Sequence, residues 1–462
     1  MNMASNNKLT FIFPIEVKNR ELLSKIFLAS QILKIINCRV IIGNQRNIFN
    51  NILKIKNTIW LDKNTYYKKI QKNKLLKNNI KFLLDEEGPN YLHGLLYSLR
   101  INKNIINFFH EIFVWGKNDF NLINKIKNND KIHIFGHPKF DILQNKKFHY
   151  FDSLSKKIKK KYGNFILIAS SFSDDATLNP KIEANIIKQN LVRSSVIFFN
   201  KLKLIKNIES TNYIEQIFLA KKIALKFKKT KVIYRPHPYQ NIELVKKRFG
   251  KVPKNLNIIY EGNITPWINA SKIYVHSGCT TSFEAYLLKK PIIFYYKKKS
   301  HTHNTFKLFG NEFTNIENLI EYINRIISKN VFNKSDNRIF KIVENFKSNN
   351  YFYKKFINLV KKKYLHLQSE IIYGENKSTK NLVSSTFKKI LSFVKNKIIL
   401  KTFLINFLPE NFLYSKEYKM NKFNQLSKKE LSNYLNYIDS KIHKKINVFK
   451  VTQDVYELSR KL

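Results

Sequence analysis

Apolar, strand-like runs alternate with helical segments along this chain, and the alternation occurs twice. The first series extends from LTFIFPI (9–15) to KIHIFGH (131–137), and the second from NFILIASS (164–171) to PIIFYY (291–296). Strands and helices that alternate in this way are typical of parallel sheets built from βαβ crossovers. The chain is therefore expected to adopt an α/β fold with two Rossmann-like domains that face each other across a cleft.

The length of 462 residues suits two such domains and an appendage. We expect an N-terminal Rossmann-like domain at 1–155, a C-terminal Rossmann-like domain at 156–334, and a basic, mainly helical C-terminal extension at 335–462. In this arrangement, which is known as GT-B, the ligand binds in the cleft between the two domains.

The composition is strongly basic, with 84 Lys and Arg against 32 Asp and Glu and a formal net charge of +52. Such an excess favours nucleic acid or an anionic membrane as a partner, but it also accompanies a coding sequence biased toward Lys, Asn and Ile. Because the lysines are spread along the whole chain, without an arginine-rich block or an RNA-binding motif, nucleic acid is not expected. The segment 385–412 is predicted either to lie on an anionic membrane or to cover the catalytic domains.

The two cysteines, Cys38 and Cys279, form neither a metal-ligand pattern nor a disulfide framework, which fits a reducing compartment. The apolar run near the N-terminus is too short for a signal peptide, and no apolar stretch is long enough to span a bilayer. We expect a cytoplasmic protein, or one that is peripheral at the inner face of the membrane. GxGxxG, Walker A, HExxH and GxSxG motifs are missing from the sequence, so neither a cofactor nor a metal is expected.

A phosphate-binding loop is predicted in KIYVHSGCTTSFEAYLLKKPIIFY (272–295), where a strand runs into a helix. The N-terminus of a helix offers free N–H groups to a phosphate, and a glycine allows the ligand to approach the backbone. The residues that would bind phosphate are Ser277, Gly278, Thr280 and Thr281. Glu284 either contacts the ligand or completes a capping box with Thr281.

A histidine lies between two prolines in KVIYRPHPYQN (231–241), directly after a strand. His237 and the nearby Arg235 suit the phosphate oxygen of a leaving group, and the histidine could also donate a proton to it. The alternative is a surface loop with an incidental histidine.

Three carboxylates follow a strand in LLDEEG (83–88). Crowded acids raise one another's pKa, which suits a general base near neutral pH, so Glu86 and Glu87 are candidate catalytic residues. The alternative is an acidic turn closed by Gly88 and Pro89. Loops after other strands of the first series are expected to line the cleft through Glu16, Lys18, Arg20, Gly116 and Gly136.

Taken in order, several of these stretches resemble a family of bacterial surface carbohydrate (surface polysaccharide) biosynthesis proteins. The resemblance covers roughly residues 9–300, with a further match at KFNQLSKKEL (422–431). The matching stretches are PIEVKNREL (14–22), IWLDK (59–63), LLDEEG, FVWGKND (113–119), GHPKFDIL (136–143), YRPHP (234–238) and VHSGCTTSFEAYLLKKPIIFY (275–295). The resemblance implies a GT-B glycosyltransferase that moves a sugar from a nucleotide-activated donor to a glycan or lipid-linked acceptor, with the acceptor at 1–155 and the nucleotide-sugar at 156–334.

A more distant resemblance is to bacterial sialyltransferases and polysialyltransferases, which carry an acidic motif, a His-Pro motif and a Ser/Thr motif in this order. It implies that Glu86 is the base, that His237 contacts the phosphate of a CMP leaving group, and that Ser277 and Thr280 bind the same phosphate. This sequence departs from the pattern by an Arg-Pro before His-Pro and by a Gly-Cys within the hydroxyl cluster. Two alternatives stay open: a nucleotide-sugar 2-epimerase on the same fold, and a non-catalytic binding protein of envelope assembly.

Overall fold

The computed structural model describes residues 8–63, 78–92, 100–127, 129–144, 150–172, 196–238, 240–328, 336–347, 349–373 and 422–461. These residues form two Rossmann-like domains, each with a parallel sheet covered by helices, which confirms the fold class expected from the alternating pattern. Among the helices of the described residues, none is both long and apolar enough to span a membrane. The segment 385–412, which was predicted to lie on a membrane or on the catalytic domains, falls outside the described residues.

The first domain is built on a sheet of eight strands, six of which are parallel. Its central strand, β1, is buried at every position because its apolar side chains face helices on both sides of the sheet. The parallel strands, in the order in which they pair, are β2 (Arg39–Asn44), β1 (Thr10–Ile15), β4 (Ile59–Asp62), β5 (Ile80–Leu84), β6 (Glu111–Val114) and β7 (Ile132–Ile134). The helices of this part of the chain are α1 (Lys18–Ile35), α2 (Gln45–Asn51), α3 (Lys103–Phe108), α4 (Lys117–Ile126) and α5 (Pro138–Gln144).

The second domain contains a six-stranded sheet in which all strands are parallel. In pairing order, its strands are β10 (Leu256–Ile258), β9 (Lys231–Arg235), β8 (Phe165–Ala169), β11 (Ile273–His276), β12 (Ile292–Tyr295) and β13 (Asn311–Phe313). The accompanying helices are α6 (Tyr150–Tyr162), α7 (Val196–Lys226), α8 (Ile242–Phe249), α9 (Thr265–Ala270), α10 (Ser282–Leu287), α11 (His303–Phe306) and α12 (Ile316–Ser328). The carboxyl ends of β8, β9 and β11 lead into loops that form one side of the cleft.

The described part of the chain after 335 is mainly helical, as the sequence predicted, and it also contains three strands. It returns to the first domain, where β16 (Val455–Arg460) pairs antiparallel with β2 and β15 (Ile446–Thr452) pairs with β16. The pairing is favourable because β16 buries Val455, Tyr456 and Leu458 against the first sheet. The other elements of this part are α13 (Ile339–Ile342), a short 3₁₀ helix (Glu344–Phe346), α14 (Phe352–Lys363), β14 (Glu370–Tyr373), which pairs with β3 (Ile52–Lys56), α15 (Lys428–Ile438) and α16 (Ser440–His443).

Candidate active site

A cavity of about 420 Å³ lies between the two domains, with walls from both. It contains most of the residues that the sequence singled out, because loops at the carboxyl ends of strands in each sheet open into it. From the first domain these are Arg20, Glu86 and Glu87, and from the second they are Arg235, His237, Ser277, Gly278, Thr280, Thr281 and Glu284.

The acidic loop (85–88) and the hydroxyl loop (277–281) touch each other across the cleft. Gly88 has φ +139°, and a Cβ atom at this position would lie 3.0 Å from Cγ2 of Thr280. A backbone of this kind favours glycine, and the short distance leaves little room for a side chain. The two motifs, which are far apart in sequence, are therefore neighbours in the pocket.

Glu86 is buried, and a histidine fixes one of its oxygens. The loop follows β5 directly, and Oε2 of Glu86 lies 3.0 Å from Nε2 of His137. Nδ1 of His137 accepts a hydrogen bond from the backbone N–H of Lys139, so the proton is on Nε2 and is donated to Glu86. Oε1 of Glu86 accepts no hydrogen bond within the described residues, although the Lys25 ammonium is 3.6 Å away.

The pKa of Glu86 is not raised by crowded acids, as was expected, but lowered. Burial alone would raise this pKa, but His137 and Lys25 outweigh burial and lower it to about 2. The neighbours of the carboxylate are a histidine and a lysine rather than other acids, so Glu86 is ionised at neutral pH. The carboxylate is held as a hydrogen-bond acceptor in the pocket wall.

Glu87 has different partners, although it is the next residue. Its carboxylate lies 3.1 Å from Nη2 of Arg20 and 2.6 Å from Nη1 of Arg100. Arg100 also binds Asp85 at 2.6 Å, so one guanidinium joins two acids of the same loop. Paired charges of this kind hold the shape of the loop and occupy both oxygens of the Glu87 carboxylate.

On the second domain, Arg235 and His237 follow β9. The Arg235 guanidinium donates to the backbone oxygens of Glu261, at 2.8 Å, and of Gly262. It also lies over the rings of Tyr260 and Trp267. Two of its donors therefore hold the neighbouring loop, and phosphate binding by Arg235, which also lines the cavity, stays a prediction.

The imidazole of His237 lines the cavity. Burial lowers its pKa to about 4, Arg20 lowers it as well, and Glu87 opposes the change. His237 is therefore neutral at neutral pH and suited to donate one N–H to a ligand. Its backbone N–H donates to Oε1 of Gln240 at 2.8 Å, which fixes the backbone at His237.

The hydroxyl loop is held from below by a histidine that the sequence analysis missed. His276 ends β11 and is completely buried, with its ring stacked against those of Tyr274 and Phe294. Its Nδ1 accepts hydrogen bonds from the backbone N–H groups of Gly278 (3.2 Å) and Cys279 (3.1 Å). Those two N–H groups are therefore already used within the protein, contrary to the expectation that this loop offers free N–H groups to a phosphate.

Other donors of the loop stay available to a ligand. The backbone N–H of Thr280 donates no hydrogen bond within the part of the chain that the structure describes, whereas the backbone N–H of Thr281 donates to the Cys279 thiol. The hydroxyl of Ser277 accepts a hydrogen bond from Gln216 at 3.0 Å, which leaves its own proton for another acceptor. Gly278 has φ +99°, which favours glycine at the point where the loop turns.

Glu284 does not form the capping box that was considered for it. Thr281 makes no side-chain cap, and the Glu284 carboxylate instead accepts a hydrogen bond from the Thr265 hydroxyl and lies 3.5 Å from Nζ of Lys139. Lys139 belongs to the first domain, so this ion pair crosses the cleft. Two hydrogen bonds also cross it: Nδ2 of Asn263 donates to the Asn19 oxygen (2.8 Å), and Nε2 of His301 donates to the Leu92 oxygen (2.7 Å).

Four residues expected to line the cleft lie elsewhere. Glu16 pairs with Lys63 and Lys422, and Lys18 pairs with Glu430 at 2.7 Å, because the C-terminal part packs over the first βα loop. Gly116 and Gly136 face the returning chain: an added Cβ would lie 2.5 Å from the Ile342 oxygen and 2.0 Å from Oδ1 of Asn345, respectively. All four therefore contribute to packing of the first domain.

His137 and His276, which support the two loops, both end or follow a strand within a motif that the sequence analysis quoted. The signal that could have identified His137 and His276 is their position, because each lies at or just after the end of a strand, as His237 does. Within the described ranges, no group of three or more His, Cys, Asp or Glu side chains is arranged to hold a metal ion.

A search against models of protein families finds no match. Among curated proteins, the chain is 23% identical over 384 residues to Protein Ycf2 of Physcomitrium patens, and the alignment covers 76% of this chain and 16% of that protein. The chain thus spans a small part of the length of the curated relative that it matches.

Among solved structures, the UDP-GlcNAc 2-epimerase of Neisseria meningitidis bound to UDP-GlcNAc has a TM-score of 0.46 and 14% identity, and the match covers 77% of this chain and all of the epimerase. The UDP-N-acetylglucosamine 2-epimerase of Rickettsia bellii has a TM-score of 0.47 and 10% identity, over 77% of this chain and 97% of the enzyme. A variant of the wall teichoic acid polymerase TagF has a TM-score of 0.43 and 9% identity, over 86% of this chain and 90% of the polymerase.

Proposed function

We propose that the protein is a glycosyltransferase that transfers a sugar from a nucleotide-activated donor to a glycan acceptor in surface polysaccharide synthesis. The observation that carries this proposal is that Glu86 and the hydroxyl loop of the second domain line one pocket, where the loop that carries Glu86 packs against Thr280. A transfer reaction needs a proton acceptor for the attacking hydroxyl and donors for the departing phosphate. The two sides of this pocket offer these groups.

In the proposed reaction, Glu86 acts on the acceptor. A hydroxyl oxygen of the acceptor attacks the anomeric carbon of the donor sugar, and its proton passes to the Glu86 carboxylate. A bond forms between the acceptor oxygen and the anomeric carbon, while the bond between that carbon and the phosphate oxygen breaks. The electron pair of the broken bond leaves with the nucleotide phosphate.

The groups of the second domain would stabilise the phosphate that leaves. We assign this role to the N–H of neutral His237, the hydroxyls of Ser277 and Thr280, and the backbone N–H of Thr280. Hydrogen bonds fixed in advance strengthen as negative charge develops on the phosphate oxygen, and they cost no reorganisation during the reaction. His276 contributes by holding the loop that carries these donors.

The proposal can be tested first with nucleotides and then with sugars. We expect one of CMP, UDP, GDP and dTDP to raise the melting temperature of the purified protein, because a ligand that binds only the folded state stabilises it. The corresponding nucleotide-sugars should then release nucleotide faster when a glycan acceptor is present. A protein that binds none of the four nucleotides contradicts the proposal and supports a non-catalytic binding role.

A second outcome would separate this reaction from the epimerase alternative. An epimerase would change the configuration of a free nucleotide-sugar in the absence of any acceptor, and mass spectrometry of the product mixture would find no new glycosidic bond. Exchange of solvent deuterium into the sugar without an acceptor would likewise favour the epimerase and contradict the transferase.

A further inference from the structure

The longest helix of the second domain exposes a row of large apolar side chains. On α7, the side chains of Leu204, Ile214, Phe218 and Leu225 are 60%, 63%, 49% and 59% exposed. At about 100° of rotation per residue, these four positions fall within an arc of about 80°, and at about 1.5 Å per residue they extend over about 31 Å. We call these four residues the apolar stripe.

Lysines border the apolar stripe on both sides. By the same helical geometry, Lys203 and Lys221 follow one edge and Lys201 and Lys226 follow the other. Lys222 lies at the stripe itself, where its ammonium is over the Phe218 ring and pairs with an acid of α12. An apolar row between two basic edges is the pattern of helices that lie in a membrane interface.

The acids near the apolar stripe do not interrupt it. Glu317 on α12 is the partner of Lys222, at 3.0 Å. On α7 itself, Glu209 pairs with Lys206, and Glu215 accepts a hydrogen bond from Tyr295. By the same helical geometry Glu215 lies at one edge of the stripe, and the four bordering lysines outnumber it, so the border is positive on balance.

The opposite side of α7 belongs to the domain and to the cavity. Leu219 and Ile223 are completely buried in the core of the second domain. Ile205, Ile208 and Asn212 line the cavity between the domains. One helix therefore contributes to the candidate active site on one side and to the outer surface on the other.

We propose that the apolar stripe and its lysines dock the protein on an anionic membrane, with α7 parallel to the surface. The four apolar side chains would enter the boundary between headgroups and acyl chains, and the lysines would lie among anionic headgroups, each contributing through the negative surface potential. A second copy of this chain is a less suitable partner, because it would bring two basic borders together and the formal net charge of each chain is +52. The docking stands on this surface alone and is independent of the proposed transfer reaction.

Docking in this orientation would also bring the cavity close to the bilayer, since α7 contributes to both. An acceptor that is anchored to lipid would then reach the cleft without leaving the membrane. The proposal thus adds a membrane-bound source of acceptor to the proposed reaction.

Flotation with lipid vesicles tests the docking. We expect the full chain to float with vesicles that contain phosphatidylglycerol and phosphatidylcholine, and to stay at the bottom with pure phosphatidylcholine. Replacing all four residues of the apolar stripe by serine should lower the partition coefficient about tenfold or more, because burial of each large apolar side chain contributes to binding. Four exposed apolar residues elsewhere provide a matched control, in which serine should leave flotation unchanged: Leu365, Ile372, Tyr437 and Phe449.

Several outcomes would overturn the proposal: a wild-type chain that binds no anionic vesicles, a stripe variant that floats like wild type, or a control that loses flotation to the same extent. A wild-type dimer that the stripe variant dissociates would assign the surface to self-association instead. If the fourfold variant does not fold, Phe218→Trp answers the same question, since brominated lipids should quench its added fluorescence but not that of Phe449→Trp. The nucleotide melting shifts should be equal in the stripe variant and wild type, so a failure of docking is distinguishable from a failure of the proposed function.

Discussion

Glu86 and Glu87 are adjacent in the chain, yet their surroundings give them different chemistry. The Glu86 carboxylate has one oxygen on His137 and the other without a hydrogen bond among the residues that the structure describes, whereas both oxygens of Glu87 are occupied by Arg20 and Arg100. Both acids lie in the bend after β5 and line the cavity, so it is their partners that distinguish them. A proton acceptor needs an unoccupied lone pair, and within the described residues Glu86 has the better one.

We therefore predict that Glu86→Gln loses most transfer while it keeps nucleotide binding. A missing general base costs about a hundred- to ten-thousand-fold in rate, and the base contacts the acceptor rather than the nucleotide. Single-turnover transfer and nucleotide titration on the same variant measure the two effects separately. A Glu86→Gln variant with full activity would mean that the acidic loop is a structural turn.

Glu87→Gln is the matched control for that experiment. It should lower the free energy of unfolding by about 1–3 kcal/mol, because hydrogen bonds to two guanidinium groups are weakened, and it should reduce the rate much less than Glu86→Gln. Urea denaturation and the same single-turnover assay provide both values. If Glu87→Gln is inactive and Glu86→Gln is active, the base is Glu87.

The pH dependence of stability gives an independent test of the interaction of Glu86 with His137 and Lys25. The pKa of Glu86 is lowered from 4.5 to about 2, because His137 and Lys25 outweigh burial. A carboxyl group whose pKa is lower in the folded than in the unfolded state stabilises the fold at pH values above the unfolded-state pKa. This stabilisation is lost as the pH falls towards the folded-state pKa, and a pKa difference of this size corresponds to about 3 kcal/mol. The gap in unfolding free energy between wild type and Glu86→Gln should therefore shrink between pH 6 and pH 3 in urea titrations. A gap that stays constant over this range would show that the carboxylate is not ionised by its neighbours.

At the scale of elements, the parallel strands and the loops that follow them could be predicted, but the contacts that hold these loops could not. Apolar runs such as 9–15 and 164–171 are local signals that predict strands. Because parallel strands bring their carboxyl ends together, the residues directly after these strands could be predicted to line the cleft. The bond from His137 to Glu86 joins positions 51 apart, and the packing of Asn345 on Gly136 joins positions more than 200 apart. Such pairs depend on which segments pack together, and the sequence periodicity carries no information about that.

Gly136 provides a prediction at this scale. Its φ is +85°, and a Cβ would lie 2.0 Å from Oδ1 of Asn345, whose side chain bonds the His137 backbone. We expect Gly136→Ala to lower the free energy of unfolding by about 2–4 kcal/mol, from backbone strain together with the displaced contact. Gly163→Ala is the matched control, because its φ is +70° and nothing lies within 4 Å of an added Cβ, so it should cost only about 1–2 kcal/mol. Equal losses for the two variants in urea denaturation would contradict the close packing of Asn345.

At the scale of the whole molecule, the two domains share one pocket, and the end of the chain completes the first of them. The ion pair between Lys139 and Glu284 and the hydrogen bond between Asn263 and Asn19 join the domains around the cavity. The C-terminal hairpin of β15 and β16 extends the first sheet beyond β2. The hairpin covers an edge that would otherwise be open to pairing with other chains.

The role of this hairpin can be tested with two substitutions on it. Leu458 is completely buried against the first sheet, and Phe449 on the neighbouring strand is 46% exposed. Leu458→Ala should cost about 2–5 kcal/mol through lost burial and a cavity, whereas Phe449→Ala should change stability by less than about 0.5 kcal/mol. Because β16 pairs with β2, Leu458→Ala should also speed amide hydrogen exchange in Arg39–Asn44 and leave Lys231–Arg235 of the second domain unchanged. If the C-terminal part were an independent extension, Leu458→Ala would leave amide exchange in Arg39–Asn44 and in Lys231–Arg235 at the wild-type rate. The comparison of these two strands therefore decides whether the hairpin belongs to the fold of the first domain.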